Sequence, residues 1–369
     1  MAKDGMIKIL HIVSDLDINS GAMNVVMNYY RNIDRSEIQF DFGYFNRMEG
    51  TYEEEIVKLG GRTFYLDSPS FLPKYQKKIK SFFEEHKGEY TAVHCHPIWA
   101  SEIVAVAAKK VGIRHIIQHS HSTRLGNNKK SEIRNRVLMF AIGLFATNYV
   151  ACSKDAAKLL GKKSDVHIFH NAIDCDRFLF NLEKRNEIRK QFNISDNEIL
   201  VGHIGRFSEE KNQEFLISLF GTLLEKHSAA RLILIGDGPL REQNEKFASQ
   251  KKYTSKVIFT GKRTDIPDLL SSLDVFVLPS KYEGVPFAAV EAQACGLPCI
   301  ISSTVTKEIE SELTTYLDLE DDYRVWSEAI LSAAGNKHDR KQQETIKALG
   351  YDIKVESKKM QDYYRSLCR

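Results

Sequence analysis

The sequence predicts two α/β domains, each a doubly wound parallel sheet with helices on both faces. Three observations carry this. At 369 residues the chain is long for a single hydrophobic core, so two domains of ordinary size are expected. Short apolar runs alternate with segments of helical periodicity along its whole length, the pattern of strands covered on both faces by crossover helices. Several apolar runs also stop at a glycine or proline turn that leads into a helix, and such sheets collect ligands at the carboxyl ends of their strands.

In the first half the expected strands are Ile7–Val13, Gln39–Phe45, Arg62–Leu66, Ala92–Cys95, His115–Gln118, Tyr149–Ala151 and Val166–Phe169. Helical periodicity places helices at Gly21–Arg31, Ile98–Val111, Ser131–Phe145 and Lys154–Leu160. Asn171 to Phe178 reads as a connector. The second half repeats the alternation, with strands at Ile199–Ile204, Arg231–Ile235, Val257–Thr260, Asp274–Leu278, Cys299–Ile301 and near Leu313–Leu317. The expected division is residues 1–173, then 174–350, with a last helix over 351–369.

Composition excludes several classes. Apolar runs are interrupted well before the ~20 residues that a membrane span needs, and the first six residues lack the apolar stretch of a signal peptide. Six dispersed cysteines read as free thiols, so the expected location is cytoplasmic. Cys295 and Cys299 have a metal-like gap, but no second ligand pair accompanies them. Residues 1–173 carry 24 Lys+Arg against 18 Asp+Glu, a net of +6 inside a total of +3, so the positive charge belongs to the first half. It gathers in Lys74–Phe83 and between Arg124 and Arg136. Such stretches suit an anionic membrane surface or a plain solvated helix face. The small total charge and the lack of a reader motif argue against nucleic acid. Oligomeric state is left open.

The most informative stretch is Pro279–Ala292. A buried strand runs into a turn marked by Pro279 and Gly284, and Pro286 suits the start of a helix because no backbone donor is needed there. The free amides from Gly284 through Val285, Phe287 and Ala288 would favour an anion. Glu283 precedes that helix and Glu291 lies about a turn and a half inside it, so two carboxylates flank the anion position. After Ile199–Ile204 comes Gly205-Arg206-Phe207-Ser208-Glu209-Glu210-Lys211. Two cations at that spacing would clamp a diphosphate; the alternative is a surface loop with incidental charges. Gly236-Asp237-Gly238-Pro239-Leu240 and Gly261-Lys262-Arg263-Thr264-Asp265-Ile266 are two more strand–turn–helix junctions, the second placing Arg263 near a base pocket.

Taken in order, Gly-Arg-x4-Lys, Gly-Asp-Gly-Pro-Leu, Gly-x3-Asp-Ile and Pro-Ser-x2-Glu-Gly-x-Pro-x4-Glu resemble the C-terminal half of the family-four retaining glycosyltransferases. The resemblance implies the GT-B architecture, two facing Rossmann-like domains with a cleft between them. It implies that Arg206 and Lys211 hold the donor diphosphate, that Glu283 contacts the transferred sugar, and that Glu291 contacts the ribose. A hexosyl group would pass with retention from a nucleotide sugar, most readily a UDP-sugar, to a glycan or lipid-linked acceptor of surface polysaccharide assembly. The nucleotide sugar is a co-substrate, and neither cofactor nor metal is implied.

The first half supplies the acceptor side. His94 and His96 end one expected strand, and His119 and His121 follow the next, so four histidines crowd one region, with Cys95 pointing away. The resemblance assigns a strand-end histidine to the reacting centre, with His121 ahead of His119. The family's Gly-Gly-x-Glu loop, which approaches the donor phosphate and the acceptor, is replaced by Ser20-Gly21-Ala22-Met23, which keeps Gly21 as the flexible donor-side glycine and leaves Ser20 and Met23 as acceptor-side candidates. Two other functions share these features. A nucleotide-sugar epimerase would isomerise the donor alone, and a membrane-peripheral assembly protein would keep the altered loop and the basic patches without turnover.

Overall fold

The computed structural model describes residues 5–18, 20–68, 70, 72–121, 129–142, 144–161, 165–335, 338–339 and 341–368. It divides into two units, Met1–Ala172 with Ile353–Arg369, and Ile173–Asp352.

The first unit runs β1 (Ile7–Val13), α1 (Gly21–Asn32), β2 (Ile38–Tyr44), α2 (Glu53–Lys58), β3 (Thr63–Tyr65), α3 (Pro73–Glu85), β4 (Ala92–Cys95), α4 (Ile98–Lys110), β5 (His115–Ser120), α5 (Lys129–Ile142), β6 (Asn148–Ala151), α6 (Lys154–Lys158) and β7 (Val166–Ile168). Its strands pair in parallel in the order β3-β2-β1-β4-β5-β6-β7. The direction of winding reverses between β1 and β4, the switch point at which open sheets bind ligands. One face of the sheet packs on α3 and α4 through Leu10, Ile12, Val93, Cys95, Ile79 and Val104. Cys95 therefore faces away from the neighbouring histidines, as strand alternation requires.

The second unit runs α7 (Leu182–Gln191), β8 (Ile199–Ile204), α8 (Gln213–Lys226), β9 (Ala230–Ile235), α9 (Arg241–Ser249), β10 (Val257–Gly261), α10 (Ile266–Ser272), β11 (Val275–Leu278), α11 (Phe287–Ala294), β12 (Cys299–Ser302), β13 (Thr314–Leu317), α12 (Tyr323–Ala334) and α13 (Lys341–Ile346). The parallel order is β10-β9-β8-β11-β12-β13, with its switch point between β8 and β11. Asp274 ties α7 to this sheet. Its carboxylate accepts from Arg185 at 2.5 Å, from the buried Arg189 at 3.1 Å and from the Leu200 amide at 2.7 Å.

The last helix, α14 (Ile353–Ser366), belongs to the first unit. Tyr364 packs edge-on against Phe40 of β2, Glu356 accepts from the His170 amide at 3.1 Å, and Arg365 pairs with Glu37. The two basic stretches differ. On α3 the aromatics Tyr75 and Phe83 turn into the core while the lysines stay outside, and Lys78 and Lys80 pair with Asp67 and Glu84. On that stretch the lysines are solvated, and of its aromatics only Phe82 is partly exposed. On α5 apolar and basic side chains are exposed together; Arg124 lies outside the described residues. No disulfide joins any of the six cysteines. No helix among the described residues is long and apolar enough to cross a membrane.

Candidate active site

In the second unit the carboxyl ends of β8, β9 and β10 are stitched together by their own backbones. Gly205 N–H donates to Ile235 O, and Gly236 N–H to Gly261 O, each at 3.0 Å; Phe207 N–H donates to Asp237 O at 3.0 Å. The glycines permit this closeness. Gly236 has φ +135°, and a Cβ there would fall 2.1 Å from Gly205 O; one on Gly238 would fall 2.5 Å from Phe207 O. Gly236→Ala is therefore expected to lower stability by more than ~1 kcal/mol and to weaken donor binding, read together as a melting temperature with and without UDP. An unchanged protein would mean that the turn can open without loss.

The same stitching aims the charged groups. Asn212 adopts the left-handed conformation at φ +57°, which Asn tolerates, and donates to Pro279 O at 3.2 Å. Lys281 N–H donates to Glu210 O at 2.7 Å, so the loops after β8 and β11 form one wall. Within it Lys211 and Glu283 are ion-paired, their side chains 17% and 14% exposed. Ser280 donates to the same Glu283 oxygen, Oε1, at 2.8 Å, and no hydrogen bond among the described residues reaches Oε2. The expected separate jobs for Lys211 and Glu283 thus begin from a mutual pair. Arg206 is exposed and makes no ion pair among the described residues. Its carbonyl is fixed by Gln213 at 2.9 Å, and Gln213 also lies 3.3 Å from the buried His203.

Helix α11 starts at Phe287 with Pro286 as its N-cap, and no side chain caps it. Gly284, Phe287 and Ala288 are half-buried, while Val285 and Pro286 are buried beneath the turn. The Glu291 carboxylate makes no hydrogen bond or ion pair among the described residues, and burial raises its pKa to about 7 against an opposing effect of Arg177. An unpartnered carboxylate at that depth is suited to ligand hydroxyls. Arg263 does not stand free: its guanidinium forks onto Asp265, with Nε–Oδ1 at 2.8 Å and Nη2–Oδ2 at 2.5 Å.

In the first unit the histidines form a ladder at the β1/β4 switch point. His11 Nδ1 lies 2.9 Å from His96 Nε2, and His96 Nδ1 lies 2.7 Å from His121 Nε2. Beside this chain, the Tyr364 hydroxyl lies 2.7 Å from His94 Nδ1, and His94 Nε2 lies 3.1 Å from His119 Nδ1. Burial holds His11 at about 3 and His121 at about 4, and His94, His96 and His119 well below the ordinary imidazole value. All five rings are therefore neutral at pH 7 and each carries one proton. His11 Nε2, at one end of the His11–His96–His121 chain, and His121 Nδ1, at the other, are both buried without a hydrogen-bond partner. Three neutral rings joined by two hydrogen bonds must all donate in the same direction along the chain, so one end carries a buried N–H and the other a bare lone pair.

The rings offer two overlapping three-nitrogen groups, His11/His94/His96 and His96/His119/His121, each within 4.8 Å. The linked nitrogens sit 2.7–3.1 Å apart, closer than the ~3.3 Å between ligands of a tetrahedral zinc. The geometry is that of hydrogen bonding. His11 escaped the sequence reading, although a histidine inside the apolar run Ile7–Val13 was a signal for a buried polar contact; His203 in Ile199–Ile204 is its counterpart. Of the acceptor-side candidates, Ser20 caps α1 by accepting from the Met23 amide at 3.4 Å; Gly21, expected on the donor side, is exposed with open space around its α-carbon. Met23 is 1% exposed and packs into the core, so its side chain presents no acceptor surface.

Comparison with known proteins agrees with this geometry. Residues 19–177 match the family described as Glycosyltransferase Family 4, and residues 184–347 match Glycosyl transferases group 1. The chain is 37% identical to the putative glycosyltransferase EpsF of Bacillus subtilis, over 94% of this chain and 93% of that one. It is 25% identical to a UDP-Gal:alpha-D-GlcNAc-diphosphoundecaprenol alpha-1,3-galactosyltransferase of Escherichia coli, over 80% and 79% of the two chains. The crystal structure of Anabaena Alr3699/HepE in complex with UDP-glucose superposes with a TM-score of 0.80 at 17% identity, covering 98% of this chain and 100% of that one. With two parallel Rossmann-like sheets, both family matches and a relative of this identity along nearly its whole length, the chain belongs to the family-four glycosyltransferases of GT-B fold.

Proposed function

We propose that the protein transfers a hexosyl group from a UDP-sugar to a lipid-linked glycan, with retention of anomeric configuration, in the assembly of a surface polysaccharide. The observation that carries this is the Lys211–Glu283 pair at the β8/β11 switch point, set beside a helix start without a side-chain cap. Lys211, Arg206 and the amides at the start of α11 stabilise charge growing on the departing diphosphate, the fixed electrostatic help that often dominates catalysis. Glu283 presents Oε2 to the sugar hydroxyls, and Glu291 takes the ribose hydroxyls. The acceptor hydroxyl attacks from the face that the diphosphate leaves, and the diphosphate takes its proton; this scheme requires neither an enzyme nucleophile nor a metal. The first unit holds the acceptor. There His121 bonds His96 through Nε2, so Nδ1 is the ring nitrogen left for a substrate. The donor and acceptor classes are supported by the names of the galactosyltransferase relative and the UDP-glucose complex.

A panel of sugar nucleotides read by thermal shift tests the donor, because a ligand of the native state raises the melting temperature; no shift with any UDP-sugar would overturn it. The anomer formed, read by NMR, tests retention. Glu291 supplies a further check. Its pKa of about 7 means that it is partly protonated below neutrality. If ribose hydroxyls donate to its carboxylate, binding expels a proton. UDP-glucose affinity should then rise about tenfold per pH unit up to pH 7 and level off above it. Glu291→Gln should bind more weakly and without that slope; a slope that survives would remove Glu291 from the ribose.

A further inference from the structure

Helix α5 carries its apolar side chains on the outside. Ile133, Val137, Phe140 and, just past the helix end, Leu144 are between 63% and 76% exposed. Their spacing of four, three and four residues puts them on one stripe of the helix surface. Glu132, Ile133, Arg136, Val137 and Phe140 line a shallow open groove along it. The inward side of the helix packs on α4 and, through the half-buried Met139, on the core. Lys130 and Arg134 are exposed on one flank of the stripe and Arg136 on the other, against the single acid Glu132, which pairs with Arg136 at 3.0 Å. Exposed apolar residues scattered singly need no explanation, but a continuous stripe does.

We infer that this face is a docking surface for an anionic lipid bilayer. The helix is 14 residues long, or about 21 Å at 1.5 Å per residue, too short to span and suited to lie in the headgroup plane with its stripe among the acyl chains. Charge selects the occupant. A second copy of the same face would set Lys130 and Arg134 against their own kind, whereas anionic headgroups complement both flanks of the stripe. A bilayer also accepts a convex stripe without a shaped counterpart. The inference deepens the proposed function, and rests on it only for its purpose: an acceptor carried on a lipid is met at the membrane surface.

The test is flotation of the full chain with phosphatidylcholine vesicles, with and without about 30% phosphatidylglycerol, an anionic lipid. The chain is expected to float with the anionic vesicles and to be released by raised salt. The Ile133→Asp/Phe140→Asp variant is expected to float at least ~10-fold less, and Lys130→Glu/Arg134→Glu to lose the preference for anionic lipid. Circular dichroism and the UDP-induced thermal shift of each variant separate the two readings, since a variant that no longer floats but still responds to UDP has lost docking alone. The proposal is overturned if the parent chain stays unbound, if the aspartate variant floats as well as the parent, or if the stripe instead mediates a dimer that the same substitutions dissolve.

Discussion

Lys211→Ala and Glu283→Ala each lower sugar transfer by about 100-fold or more while the protein remains folded. For Lys211 the reason is charge. Removing one fixed group that stabilises a leaving oxyanion costs roughly 3 kcal/mol at the transition state, or ~100-fold in kcat. Donor affinity should suffer less, because the charge that the lysine meets grows as the bond breaks. Glu283→Ala loses the sugar contact and also leaves the ammonium of Lys211 without its partner in a site where each side chain is mostly covered. Because the two are paired, the double variant should be less impaired than the product of the single losses, the signature of groups acting as a unit. Initial rates with labelled donor, set beside melting temperatures, decide this. Near-normal turnover in both single variants would remove the site from this wall of the domain. Independent, multiplicative losses would mean that the pair seen without donor has no part in the reaction.

How much of this was legible before the structure depends on the distance over which each feature is determined. Strand β1, strand β4 and strand β8 have the expected bounds, because an apolar run closed by turn residues is a local signal. Strand β5 runs two residues further than expected, through His119 and Ser120, which look like loop residues but continue to pair with Val150 and Ala151. The wall built by the loops after β8 and β11 was readable as motifs because each junction is contiguous in sequence. What that reading could not supply was the Lys211–Glu283 contact, since each loop shows only its own charge. Arg263 was placed near the base pocket by its position, yet its nearest acid, two residues along, holds it. On the lysine-rich stretch of α3 charge was legible and left a membrane surface and a solvated face both open, because the burial of Tyr75 and Phe83 depends on which face meets the sheet. The histidine ladder was the least legible feature. Alternation puts His94 and His96 on one face, but their partners come from β1 and, for His94, from Tyr364 on the last helix, 270 residues away.

That ladder makes the first unit sensitive to acid, and the sign is fixed by the direction of the shifts. His11, His94, His96, His119 and His121 are all held below the ordinary imidazole value by burial, so the native state refuses protons that the unfolded chain accepts below pH 6.5. Their contribution is therefore fully present above that pH and is lost as the pH falls, by about 1.4 kcal/mol per pH unit for each ring. Five rings shifted in the same direction make the fall with pH steep against the marginal stability of an ordinary domain. In the second unit only His203 and His338 are shifted in the same sense among the described residues. Thermal scans at pH 7.5, 6.5 and 5.5 should show one transition moving steeply downward as the pH drops while the other moves little. Replacing His11 and His96 by Gln separates this cause from general acid damage. It removes two of the titrating rings, so the fall of stability with pH should become shallower by about two protons, whatever the pair of substitutions does to stability at pH 7.5. A melting temperature that stays level from pH 7.5 to 5.5 would mean that the rings can take up protons in the folded state, and with them the neutral ladder would be lost.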